Sequence, residues 1–338
     1  MAEQRVLERI ETTSGVSIFR IPLEVFSGYI AYAHLVVHGE HFTLVDTGSG
    51  FANSPDDMRH AFEEIRRTHG LAATIEGLHR IIVTHGHIDH FGGVPHLQSE
   101  APDALITCHP LARPVLINHD ERVLYTKGAM QDFMLRAGVP AEKRDTLMQM
   151  FMMGKQTYPP MRVDEVVEDG DRIDDTLEVI HVPGHAPGLI MLLIDDVLLT
   201  SDHILPETSV ALFPESIMPY TGVGHFIESL EKAQQVAGVR MALGGHEWPM
   251  IDYYDVVERT LSEAHRKVER VLAHCDEPRT IYEIAAQIYD HMDGYGELLR
   301  IEQTGARVEY LNQRGMLMID NLEALEQEHS PALRYKRV

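Results

Sequence analysis

The sequence predicts an α+β fold: two β-sheets covered by helices, interrupted by a helical insertion and followed by a mainly helical C-terminal unit. Three observations predict it. Short apolar, β-branched runs alternate with stretches of helical spacing through the first three quarters of the chain. Several of those runs end in a histidine or an aspartate followed by a turn. From Asp252 onward the pattern is helical and closes on two short strand-like runs.

From Val16 to Thr47, the runs Val16-Ser17-Ile18-Phe19, Ile30 to Val37 and Phe42 to Asp46 read as antiparallel strands, with His38-Gly39-Glu40-His41 as a hairpin turn. Asp56 to His69 carries Met58, Phe62 and Ile65 at helical spacing. Arg80-Ile81-Ile82-Val83 reads as a buried strand, Pro95 to Glu100 as a short helix and Ala104 to His109 as another strand. Residues 110–162 form a helical insertion holding seven of the chain's 16 methionines: Met130, Met134, Met148, Met150, Met152, Met153 and Met161. Helical core is the plain reading. The sharper one is an adaptable apolar wall for a substrate, because thioether chains conform to varied ligands.

Strands return at Glu165 to Glu168, Leu177 to Val182, Ile190 to Ile194 and Val197 to Thr200, with Asp195-Asp196 as a tight turn. Phe226 to Gly238 reads as a helix and Met241 to Leu243 as a last strand. Tyr253 to His274 is a long helix, a second runs from a cap at Arg279-Thr280 through His291, and a third covers Glu297 to Gln313. Arg314-Gly315 stops it, and Met316 to Asp320 and Leu333 to Lys336 read as two strands. Three helices followed by a hairpin is a winged-helix arrangement. The expected division is a catalytic domain over 1–250 and a winged-helix-like domain over 251–338, docked rather than tethered because no Pro/Ser-rich linker separates them.

Composition narrows the function. The net charge of −23 repels polyanions at long range, which disfavours nucleic acid as a partner. Residues 251–338 hold 11 Lys and Arg against 17 Asp and Glu, and Glu309 accompanies Arg307 and Arg314 on the candidate recognition helix, so a DNA-reading role for the winged helix is disfavoured too. Packing on the catalytic domain or across a homodimer is the better reading of that unit. Met1 to Ile10 has no apolar core and reads as no signal peptide. No window approaches the ~18 apolar residues of a membrane span. Cys108 and Cys275 form no disulfide framework, and a reducing cytoplasm is the simplest compartment.

The chemistry concentrates in Thr84-His85-Gly86-His87-Ile88-Asp89-His90-Phe91-Gly92-Gly93, directly after the Arg80–Val83 strand. Packing does not call for three histidines and a carboxylate within six residues, whereas imidazole and carboxylate together are the ligand set of zinc and similar metals. Further candidates stand at strand ends: His185 in Pro183-Gly184-His185-Ala186-Pro187, Asp202 after Leu198-Leu199-Thr200-Ser201, His246 after Leu243-Gly244-Gly245, and Asp46 in Leu44-Val45-Asp46-Thr47-Gly48. Each alone has an ordinary explanation as a turn histidine or a helix cap. Together with the first cluster they are hard to dismiss.

These segments, His85-Gly86-His87-Ile88-Asp89-His90, Gly184-His185, Asp202 and Gly245-His246, resemble the metallo-β-lactamase superfamily over about residues 15–250. The resemblance implies an αββα sandwich with a metal site at one edge of its sheets. It also implies two divalent ions, Zn as first choice with Fe or Mn fitting as well. His85, His87 and His185 would hold the first, Asp89, His90 and His246 the second, and Asp202 would bridge them. Asp46 would orient a ligand histidine through a hydrogen bond, and His203 would stand beside the ligands. The implied reaction is hydrolysis by a metal-bridging hydroxide, with Asp89 as the residue that orients it or passes its proton. An aspartate at position 202, with the C-terminal unit, is similar to the glyoxalase II and LACTB2-like branch. The expected substrate is a small molecule, a thioester or related carboxyl derivative such as an acyl-CoA. A lactone or phosphodiester is the alternative, and nucleic-acid processing through the winged helix is the alternative of another class.

Overall fold

The computed structural model describes residues 6–153, 155, 157–327 and 331–338. Residues 1–5, the start of the stretch read as lacking a leader, lie outside the described residues. The chain opens with β1 (Glu8–Glu11), β2 (Ser17–Phe26), β3 (Tyr29–His38) and β4 (His41–Val45), then α1 (Ser54–His69) and β5 (Arg80–Val83). Next come α2 (Ile88–Phe91), α3 (Val94–Glu100) and β6 (Leu105–Cys108), followed by the insertion helices α4 (Arg113–Ile117), α5 (His119–Arg136) and α6 (Ala141–Met153). Strands β7 (Glu165–Val166), β8 (Arg172–Ile173), β9 (Leu177–His181), β10 (Ile190–Ile194) and β11 (Val197–Ser201) lead to α7 (Val223–Gln234) and β12 (Met241–Gly244). The tail holds α8 (Tyr253–Leu272), α9 (Ile281–Ile288), α10 (Gly294–Gln313), β13 (Leu317–Ile319), α11 (Leu322–Gln327) and β14 (Tyr335–Arg337).

Seven strands form one sheet in sequence order, β1 to β7, and five form a second in the order β12-β11-β10-β9-β8. The first is antiparallel through β4 and parallel from β4 to β7. Val16, Ile18, Val36, Val45 and Ile82 of the first sheet meet Val179, Ile190, Leu192, Val197, Leu199 and Leu243 of the second, which makes a sandwich. On its other face the first sheet buries Phe19, Ile21, Leu23 and Leu35 against Met58, Phe62 and Ile65 of α1. That stripe recurs at the spacing of one helical face, so burying it drives α1 onto the sheet. Among the described residues no helix is long and apolar enough to cross a membrane.

Several elements differ from the sequence reading. β2 runs to Phe26 rather than ending near Phe19, straight through Pro22. β1 pairs only with Ser17 to Arg20, so Pro22 lies where β2 is an edge and needs no donor on that side. β1, β8, α2 and α11 were not legible at all, each being too short to show a period.

The chain clusters into two compact units: Met1–His119, Tyr158–Val210 and Lys232–Val257 make one, and Asp120–Thr157, Ala211–Glu231 and Glu258–Val338 the other. Most of the insertion therefore packs with the tail. Tyr282 N donates to Ala137 O at 2.9 Å, Leu333 N to Arg136 O at 2.9 Å, and Lys143 Nζ meets Glu297 Oε1 at 2.6 Å. In this second unit α8, α9 and α10 precede an antiparallel β13–β14 pair. Met130 and Met134 are core, Met161 belongs to the core of the first unit, and Met153 is exposed.

Candidate metal centre

Every strand that feeds the site stops beside it. β4 hands over to Asp46, β5 to Thr84 and His85, β11 to Asp202 and β12 to Gly245-His246, while His185 follows β9 in the Val182–Leu189 turn. Four of these five strands are central in their sheets, so the backbone that aims the side chains is fixed by ladders on both sides. Gly245 is required by close approach. A Cβ there would collide with Asp202 Oδ1 and the His90 ring.

The side chains converge as two groups. His85, His87, His185 and Asp202 bring one ligand atom each to within 4.8 Å of the others, and so do Asp89, His90 and His246. Asp202 lies between the groups: Oδ2 is 3.9 Å from His85 Nε2, 3.7 Å from His185 Nε2 and 3.5 Å from His246 Nε2, and Oδ1 is 3.3 Å from His90 Nε2. Asp89 Oδ2 is 3.5 Å from His246 Nε2 and 3.9 Å from His90 Nε2.

The outer atoms of the rings are anchored. His90 Nδ1 donates to Asp46 Oδ2 at 2.8 Å and His246 Nδ1 to the Ile30 carbonyl at 2.7 Å. His85 Nδ1 meets Thr84 Oγ1 at 3.2 Å and Ser201 Oγ at 3.3 Å. Asp46 is fixed in turn by the Thr84 amide at 2.8 Å. The inner atoms are different. His85 Nε2, His90 Nε2, His246 Nε2 and Asp202 Oδ1 are all buried without a hydrogen-bond partner. Buried polar atoms rarely stay orphaned, and these four point at one another. A metal ion meets that need, and the residues fit one.

The electrostatics agree. Burial, then the neighbouring His90 and His87, hold His85 well below its usual value, and burial with His185 holds His87 down to about 3. Both are neutral imidazoles, the ligand form. Burial opposes charge on His90 and His246 as well, but Asp202, Asp46 and Asp89 outweigh it for His90, and Asp202 and Asp89 for His246, so both are raised well above the usual range. In the metal-free chain, protons thus supply the positive charge that an ion would bring. Burial opposes ionisation of Asp89, yet His90 and His246 hold it down to about 2, and the same two imidazoles keep Asp202 low.

All of the expected ligand residues thus lie together. His203 is fully buried beside Asp202. His225 pairs with Glu215 at 3.1 Å in the second unit, and His109 stacks on His181 at 3.8 Å. Sequence reasoning missed Thr84, Ser201 and Tyr29. The first two had a signal, a hydroxyl residue immediately before a strand-end ligand. Tyr29 had none: its ring lies 4.8 Å from that of His246 and is half exposed.

Comparison with known proteins matches the family model of the metallo-beta-lactamase superfamily over residues 27–246. No curated protein sequence matches the chain. Among solved structures, a metallo-beta-lactamase family protein from Thermus thermophilus superposes with a TM-score of 0.73 at 21% identity, covering 95% of this chain and 98% of that one. A beta-lactamase domain protein from Burkholderia ambifaria gives 0.74 at 21% identity, covering 98% and 94%. A superfamily protein from Sulfolobus tokodaii gives 0.51 at 17% identity, covering 87% and 98%. With its sandwich and its His/Asp cluster able to hold a metal, the chain belongs to the metallo-beta-lactamase superfamily, whose members are typically metal-dependent hydrolases.

Proposed function

We propose that the chain hydrolyses thioesters or related small carboxyl derivatives such as an acyl-CoA, with two divalent ions in the centre, Zn the first choice. The observation that carries hydrolysis is the position of Asp202, a carboxylate shared between two groups of ligand atoms. His85, His87 and His185 with Asp202 would hold one ion, and Asp89, His90 and His246 with Asp202 the other. An ion pair of this kind supplies a water ionised near neutral pH and a Lewis acid for the electrophile's oxygen. Asp46 and the Ile30 carbonyl keep the protons of His90 and His246 on Nδ1, so each Nε2 faces the centre. Asp89, whose carboxylate stands with His90 and His246 in the second group, would orient the attacking water or pass its proton.

The substrate class rests on the helical unit, which exposes Leu124, Tyr125 and Met153, apolar surface suited to an acyl chain. Among the insertion's cations, Lys143 is engaged by Glu297, Arg144 by the Val139 carbonyl, Arg162 by Asp164, and Lys155 is half-buried beside Glu302, while Lys127 and Arg136 are candidates for an anionic carrier. We assign 1–250 to the catalytic domain and 251–338 to a winged-helix-like domain of the glyoxalase II and LACTB2-like branch, on the order of α8, α9, α10 and the β13–β14 pair. The test is a panel of acyl-thioesters, lactones and phosphodiesters with metal-loaded protein. Turnover of thioesters is expected, and a loaded enzyme that leaves every thioester intact overturns the substrate reading.

A further inference from the structure

Arg20 is a charged side chain inside the sandwich. Side chains alternate across a strand. Phe19 of β2 packs towards α1, while Ile18 packs against the second sheet, so Arg20 shares the face of Ile18. It is 3% exposed. A charge so deeply buried is tolerated only where partners engage it. Its guanidinium lies over the ring of Tyr32, its diagonal neighbour on β3, at 3.2 Å, and Nη1 meets Glu8 Oε2 at 3.0 Å. Nη2 donates to the carbonyl of Glu247, the residue that follows the candidate ligand His246.

Glu247 is the joint of the turn that carries His246. Its backbone stands at φ 63°, in the left-handed region, where surrounding contacts have to hold a glutamate. Arg20 holds its carbonyl. Its carboxylate reaches the other way and accepts from the Glu207 amide at 2.8 Å, the Thr208 amide at 3.0 Å and the Thr208 hydroxyl. Glu207 and Thr208 follow Asp202 by five and six positions. Between these contacts Gly245 N donates to Ser201 O at 2.9 Å, and Tyr32 N donates to Gly245 O at 2.8 Å. The turns that present Asp202 and His246 are thus tied to each other twice, and the second of them is tied to β2 through Arg20. Asp202 Oδ2 and His246 Nε2 stand 3.5 Å apart across this tie. Metal sites tolerate only about 0.2 Å of error in ligand distances, so a turn that relaxes weakens the site.

We propose that Arg20 and Glu247 are positioning residues for the second ion, a clamp that sets the His246 turn against the Asp202 turn. Neither is a ligand. The proposal rests on the reading of His246 as a ligand together with Asp89 and His90.

The experiment titrates Co2+ into the metal-free full chain while the emission of Trp248 is followed. Trp248 is the chain's single tryptophan, half exposed and two residues past His246, so it reports on the turn itself. Two equivalents are expected in the parent, and the one lost in His90→Ala marks the second ion. Arg20→Met and Glu247→Ala should each weaken that equivalent by about 10–100-fold and leave the other unchanged. Glu247→Gln keeps an acceptor oxygen and should stay close to the parent. Parent affinity at both ions in Arg20→Met and Glu247→Ala overturns the proposal, and so does an equal loss at both ions, the mark of a general loosening. If Arg20→Met does not fold, Glu247→Ala, at a part-exposed position, decides in the same way. A parent that takes up a single equivalent defeats the two-ion reading instead. The clamp is then judged on Trp248 in the metal-free chain: a shifted emission in both variants supports it, and emission identical to the parent's overturns it.

Discussion

Asp46 stands at φ 62°, in the left-handed region that L residues rarely adopt, at the end of β4. Such a conformation persists only where surrounding contacts hold it, and here the Thr84 amide and hydroxyl and His90 Nδ1 all bind its carboxylate. On the proposed two-ion assignment, its bond to Nδ1 sets the direction of His90. Asp46→Asn should therefore weaken the ion at Asp89, His90 and His246 by about 10–100-fold, read as metal retained after dialysis. His90→Ala should lose that ion, largely spare the one at His85, His87 and His185, and collapse hydrolysis. Full metal content with an undiminished rate would refute the two-ion assignment. The ligand types were legible because three histidines and an aspartate in six residues have no packing explanation. Tyr29 was not, since its contact with His246 joins residues that only the folded sheets bring together.

The elements of the second unit carry two stability predictions. Thr280 caps α9 reciprocally with Glu283: its Oγ1 accepts from the Glu283 amide at 3.2 Å, while Thr280 N donates to the Glu283 carboxylate at 2.8 Å. Thr280→Ala should cost about 1 kcal/mol in denaturant unfolding. On α10, Glu302 is almost fully buried, its Oε1 has no hydrogen-bond partner, and burial raises its carboxyl to about 8 against a partial offset from Lys155. A raised carboxyl keeps its proton in the fold while the unfolded chain has lost it. Stability therefore falls as pH rises from the ordinary carboxylate range to about 8, and levels off above. Glu302→Gln should raise the melting midpoint at about pH 9 and change it little at about pH 4.5, as scanning calorimetry would show. The cap was visible in the sequence as Thr followed three residues later by Glu. The buried carboxyl was not, because one Glu in a polar helix looks solvated until its neighbours are known.

For the whole molecule, metal removal is the decisive perturbation. A chelator should abolish hydrolysis and lower the melting midpoint, and restored Zn2+ should recover both. Uptake should also depend on pH. Without metal, His90 and His246 hold protons well above the usual imidazole range, so each must give one up to become a ligand. Apparent affinity should rise with pH and fall on acidification, measured by dialysis at several pH values. Local patterns in the chain were enough to mark the candidate ligands, two sheets covered by helices and the helical tail, because periodicity and metal chemistry are written in runs of a few residues. The folded arrangement was needed to show that Asp202 lies between two groups of candidate ligands and that most of the insertion packs with the tail. Those facts depend on which strand ends lie side by side. Sheet order and long-range packing settle that, and no local pattern in the chain encodes it.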